Sequence, residues 1–194
     1  MDFLALYVQL GFKHISDLAG FDHILFLIAL CAVYRIEQWR RLLILVTAFT
    51  VGHSVTLALS SLGTISIRSD VIEFLIPTTI LLTALHNVMS RPSEVTSAGM
   101  SKNYAMALFF GFIHGMGFSN YFRALLMGDN SIAMPLFGFN VGIELGQLMV
   151  VAVIIGIAYL FLNVLHVKYR DWNVFVSGAA AGISVLLMID TRFW

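Results

Sequence analysis

Six stretches of this chain are apolar for long enough to cross a bilayer, and five of them carry a histidine or a carboxylate. A crossing helix needs about 20 mostly apolar residues. In hydrocarbon, every backbone N–H and C=O must find its partner inside the protein, which leaves helices or a closed barrel. The long runs select helices. The expected fold is therefore an all-α polytopic membrane bundle of about six transmembrane helices. The spans run over residues 20–34, 42–62, 71–89, 104–122, 135–165 and 174–189, the fifth long enough to tilt or to extend past the bilayer. Residues 2–18 read as a short N-terminal helix, amphipathic or partly inserted, with Leu4, Tyr7, Val8 and Phe12 on one side. Turn and charge signals fall between the spans, at 35–41, 63–70, 90–102, 128–131 and 166–171.

Composition closes off the other classes. Hydrophobic residues make up 59% of the chain and charged residues 11%, against about a quarter charged in soluble domains. Lysine plus arginine equals aspartate plus glutamate, at 11 each, so nothing draws the chain to nucleic acid; its surroundings are membrane lipid. The single cysteine, Cys31, excludes an internal disulfide and any multi-thiolate metal site. No cleavable leader stands out, and residues 1–194 read as one integral membrane domain without an internal repeat.

Basic residues set the expected orientation. Loops after the first, third and fifth spans hold Arg35, Arg40, Arg41, Arg91, Lys102, Lys168 and Arg170, which is seven. The opposite side holds Lys13, Arg68, Arg123 and Arg192, which is four. Both termini are thus expected outside, on the periplasmic face of a bacterial inner membrane.

Ionisable groups within a span are costly and are functional candidates by default. They are Asp22, His23, His53, Glu73, His86, His114 and Glu144. At a rise of about 1.5 Å per residue, His53, His114 and Glu144 lie roughly 12–14 Å below the outer surface, and Asp22, His23 and Glu73 within roughly 5 Å of it. His86 alone is near the inner end. His114 lies inside Gly111-Phe-Ile-His-Gly115 and Glu144 inside Gly142-Ile-Glu-Leu-Gly146, small-xxx-small patterns that let helices approach closely. Asn140, Glu144 and Gln147 make one polar stripe, and Thr50, Ser54 and Thr56 surround His53 with hydroxyls. Pro77, one turn after Glu73, frees a carbonyl nearby. Imidazole plus carboxylate without thiolate suits a divalent first-row ion, namely nickel, cobalt, zinc or ferrous iron. The plainer alternative is that each histidine satisfies one hydrogen bond at a helix contact. That alternative is assigned to His86, while three histidines and two carboxylates at similar depth argue against it for the rest.

The segments His14-Ile-Ser-Asp-Leu-Ala-Gly20-Phe-Asp22-His23 and Phe49-Thr-Val-Gly-His53-Ser resemble the signature of the HupE/UreJ family. The resemblance continues through Val71-Ile-Glu73, Asn87, Gly111-Phe-Ile-His114-Gly-Met-Gly-Phe118 and Phe139-Asn140-Val-Gly-Ile-Glu144-Leu-Gly-Gln147, covering nearly the whole chain. It implies a small membrane protein associated with hydrogenase and urease accessory functions, of a group regarded as nickel or cobalt permeases. Carried over by position, it implicates His14, Asp22, His23 and His53 in metal contact.

These features lead to a divalent-metal permease with nickel or cobalt favoured. His14, Asp22 and His23 would capture the ion and pass it to His53, Glu73, His114 and Glu144, with Ser54, Asn140 and Gln147 supporting those ligands. An intramembrane metalloenzyme open to the outer leaflet is the second reading. It lacks a His-Glu-x-x-His motif, paired histidine boxes and a Gly-x-Ser-Gly nucleophile. A haem-anchoring subunit with His53 and His114 as axial ligands is the third. Gly178-Ala-Ala-Ala-Gly182 on the last span could pack within the bundle or support a homo-oligomer.

Overall fold

The computed structural model describes residues 3–18, 20–89, 97–126 and 132–194, and only the backbone of 97–99. Within these residues the chain is a helical membrane bundle with no strand. Its helices are α1 (Phe3–Ser16), α2 (Asp22–Cys31), α3 (Trp39–Ser61), α4 (Ser69–Met89), α5 (Ser97–Gly117), α6 (Ser119–Leu125), α7 (Ala133–Tyr159) and α8 (Tyr169–Asp190). Arg91 and the turn at 128–131 lie outside the described residues.

Four segments are long and apolar enough to cross a bilayer: Ile36–Ser61, Ser69–Met89, Ala133–Val164 and Tyr169–Asp190. The third of these includes a π-helical turn, Leu160–Val164, that carries α7 past bilayer length. The other two expected spans differ from regular crossings. Helix α2 has only 10 residues, about 15 Å, or half a hydrocarbon core. The expected fourth span breaks at Phe118 into α5 and the seven-residue α6. Gly115 and Gly117 precede that break, and glycine is a poor helix former.

Two helix pairs are stitched by glycine, and within each pair both helices run the same way. In the α3–α5 pair, a Cβ on Gly52 would strike the Leu108 carbonyl, one on Gly111 the Phe49 carbonyl, and one on Gly115 the His53 carbonyl. In the α1–α7 pair, Gly11 abuts the Phe139 carbonyl, Gly138 abuts Leu4 and Tyr7, and Gly142 abuts Val8 and Phe12. Backbones meet directly there, the arrangement that small residues permit in lipid. The Leu4, Tyr7, Val8 and Phe12 face of α1 is therefore buried against α7, with Tyr7, Gly11 and Ile15 fully covered. Helix α1 is a packed element of the bundle.

Helices α4 and α8 run antiparallel. Phe74 meets Phe193 and Trp194 at one end, which we call upper, and Asn173 Nδ2 donates to the Asn87 carbonyl at 2.9 Å at the other, lower end. Tyr7 Oη donates to the Leu125 carbonyl at 3.4 Å, placing the start of α1 at the upper end. Helix α1 descends from it, and α2 starts inside the bundle and descends to the lower end, where Asn87 Nδ2 donates to the Ala29 carbonyl.

Candidate metal centre

Four histidines from four helices meet where α1 ends and α2 begins. His14 stands in the last turn of α1, His23 in the first turn of α2, His53 within α3, and His114 in the last turn of α5. Ring centres lie 4.7 Å apart for His14 and His23, 6.0 Å for His23 and His53, 6.2 Å for His14 and His53, and 5.2 Å for His23 and His114. One nitrogen from each of His14, His23 and His53 lies within 4.8 Å of the other two. Two nitrogens on one tetrahedral ion are about 3.4 Å apart, so a small rotation of each ring closes the shell.

Five nitrogens of these rings lack partners. His14 Nε2, His23 Nε2, His114 Nδ1 and both nitrogens of His53 are buried with no hydrogen bond. His53 is 0% exposed and His114 1%. Buried polar atoms are paired in the large majority of cases, and each exception calls for an explanation. Five such nitrogens on four neighbouring rings call for one explanation between them.

Neighbouring groups fix which nitrogen each ring offers. Asp22 Oδ1 accepts from the His23 backbone N–H at 2.9 Å and lies 3.1 Å from His23 Nδ1. A carboxylate there takes the Nδ1 proton and leaves the Nε2 lone pair toward the cluster, as an outer carboxylate does for metal-bound histidine. Thr79 performs the same task for His114. Its hydroxyl proton goes to the Ile76 carbonyl at 2.7 Å, so its oxygen accepts from His114 Nε2 at 3.2 Å and frees Nδ1.

Aromatic rings enclose the histidines. Phe118 stacks near His14 at 3.9 Å between centroids. Phe49 and Phe110 lie one turn below His53 and His114 on their own helices, and Phe26 nearly one turn below His23. Phe26 stacks on Phe49 at 4.8 Å and meets Phe110 edge-on at 6.2 Å. All three are buried and form a floor across the lower side of the cluster.

The remaining sequence candidates fall elsewhere. Glu73 is exposed on α4 and lines a cavity of about 240 Å³ with Gly20, Phe21, Asp22, Pro77 and Thr191. That cavity reaches the cluster through Asp22. Pro77 lacks an N–H, so the Glu73 carbonyl above it has no helical donor. Glu144 and Gln147 face α3, where Thr47 donates to Glu144 Oε1 at 2.7 Å and Thr50 to Gln147 Oε1 at 2.6 Å. Asn140 is one turn from Glu144, with Oδ1 buried and unpaired. Ser54 bonds back to the Thr50 carbonyl at 2.7 Å. His86 is half-buried near the lower end of α4.

Sequence reasoning missed Thr79 and the phenylalanine floor. A signal for both existed: each of three histidines has a phenylalanine three or four residues away, and Thr79 and Thr83 share the face of α4 that Asn87 continues.

A family model described as HupE / UreJ protein matches residues 1–192. No curated protein and no solved structure matches the chain.

Proposed function

The chain belongs to the HupE/UreJ family, a family of metal-transport-related accessory membrane proteins, and on that premise we propose that it binds a divalent transition-metal ion at its four histidines and moves it across the inner membrane. The observation that carries this reading is the convergence of five unpaired imidazole nitrogens, with two rings held in a donor-ready tautomer by Asp22 and Thr79. Neutral imidazoles without thiolate suit nickel, cobalt, zinc or ferrous iron, and the family favours the first two. His14, His23 and His53 hold the ion, and His114 supplies the fourth nitrogen.

The cavity beside Asp22 is the entrance. Glu73 and Asp22 give it two carboxylates, which concentrate cations at its mouth. With both termini outside, as the distribution of basic residues suggests, this entrance faces the periplasm. The floor of Phe26, Phe49 and Phe110 closes the other side, so passage requires those rings to part. That closed floor is also what favours the second reading, a metalloenzyme whose site opens only upward.

One pair of measurements separates the readings. Elemental analysis of the purified protein should give one bound ion per chain, and none in His53→Ala. Liposomes holding the protein should accumulate nickel, cobalt or zinc in a His53-dependent way. Stoichiometric metal without flux selects the enzyme, and absence of metal from the wild-type protein sinks both.

A further inference from the structure

The polar stripe of α7 faces α3 and leaves two buried oxygens without partners. Glu144 uses Oε1 to accept from Thr47, while its Oε2 is buried and unbonded. Asn140 Oδ1, one turn earlier on the same face, is in the same condition. Gln147, 1% exposed, adds an amide oxygen that Thr50 engages through only one of its two lone pairs. Every one of these atoms is an acceptor. Among the described residues, no lysine, arginine or histidine forms an ion pair with Glu144. Glu144 stands 11 residues into α7, about 17 Å from its start, and so near the middle of the bilayer. A carboxylate at that depth with only a hydroxyl for company is missing a positive partner.

We propose that the contact between α3 and α7 is a second ion site, made of oxygen alone, which holds one monovalent cation of the sodium class against Glu144 and Asn140. Oxygen donors select hard cations, whereas the imidazole cluster selects first-row transition ions, so the two sites differ in chemistry as well as place. One carboxylate balances one positive charge. A divalent ion would leave net charge in the hydrocarbon, where an unpaired charge is expensive. A proton on Glu144 Oε2 would serve Asn140 Oδ1 as well only if the two oxygens closed to about 2.7 Å, whereas a cation bridges them at a wider separation, and comparing sodium with choline at one pH tells the two apart. His53 and Thr50 lie three residues apart on α3. If the histidine site transports as proposed above, this second ion is placed to be its coupling ion.

The test uses the full chain in lipid nanodiscs at one fixed pH. A hydrophobic carbodiimide is reacted with the protein, and its adduct at Glu144 is measured by mass spectrometry. Sodium at about ten times its Kd should slow modification about tenfold relative to choline at the same concentration. Nickel should give no such protection. His53→Ala should keep the sodium effect, and Asn140→Ala should require more sodium for half-protection. Radioactive sodium should bind once per wild-type chain and not to Glu144→Gln, whose elution as a monodisperse peak shows that it folds. Equal modification in sodium and choline, or sodium retained by Glu144→Gln, overturns the proposal. A protein that binds sodium in this way but no nickel would remove the histidine reading and leave this one standing.

Discussion

Two polar clusters of this bundle bury their side chains in opposite ways. In the histidine cluster, five imidazole nitrogens are buried with nothing to bond. At the lower end, Asn87 Nδ2 donates to the Ala29 carbonyl at 2.6 Å, Asn173 Nδ2 to the Asn87 carbonyl at 2.9 Å, and Ser177 Oγ to Asn173 Oδ1 at 3.0 Å. That chain of bonds ties α2, α4 and α8 together and leaves the two amides engaged. A satisfied network fixes structure, whereas a partly satisfied one costs stability unless something else completes it. The lower network explains itself within the fold. The histidine cluster keeps nitrogens that nothing in the fold completes, and that the proposed ion would.

The sharpest way to break this contrast is to remove one group from each cluster. His53→Ala should take bound metal from one ion per chain to none, by elemental analysis. Stability of the metal-free protein should change little. The cavity left by a fully buried ring costs about 2–5 kcal/mol, and relieving two unpaired nitrogens, at about 1–3 kcal/mol each, returns a similar amount. A metal-free His53→Ala that unfolds readily would show the histidines to be structural after all.

Asp22→Asn and Thr79→Val test whether the carboxylate beside His23 and the hydroxyl beside His114 orient those rings. Each should weaken metal binding about 10–100-fold in titration calorimetry while leaving one ion per chain at saturation. An unchanged affinity in both would leave the tautomer argument without force.

Asn173→Ala is the mirror experiment at the lower end. It deletes one bond between α8 and α4 and one within α8, and side-chain bonds between helices in membrane proteins average about 0.6 kcal/mol each and rarely exceed about 1.7. A loss of about 1–2 kcal/mol is expected in denaturant titration, with metal affinity unaltered. The smallest effect belongs to Glu73→Gln, which should slow uptake a few-fold at low metal concentration, yet leave stoichiometry and equilibrium affinity as they were. Altered affinity there would move Glu73 from the entrance into the site.

Much of this was legible in the sequence. The six apolar runs gave the class, and the glycine spacings gave the close contacts, which for Gly111 and Gly115 turn out to be made with α3. His14, placed by resemblance, does stand beside His23 and His53. Depth alone left the meeting of the rings open. Counting residues from one surface separates the His23 and His53 backbones by roughly 8 Å, a gap their side chains close, with ring centres 6.0 Å apart. The expected N-terminal helix is there as α1, while the expected first span is only the short α2, so that His23 begins a helix inside the bundle.

Glu144 shows where a sequence pattern holds more than was drawn from it. It lies two residues from both Gly142 and Gly146, close to half a turn around the helix. Once those glycines pack on α1, Glu144 must face elsewhere, and α3 is what it meets. Hydropathy, helix period and residue chemistry therefore determined that this is a helical membrane protein carrying nitrogen and oxygen ligands within its spans. Tertiary structure alone decided which ligands meet, because that depends on which glycine face docks on which neighbour. Those dockings divide the candidate residues between a cluster of imidazoles and a separate cluster of oxygens.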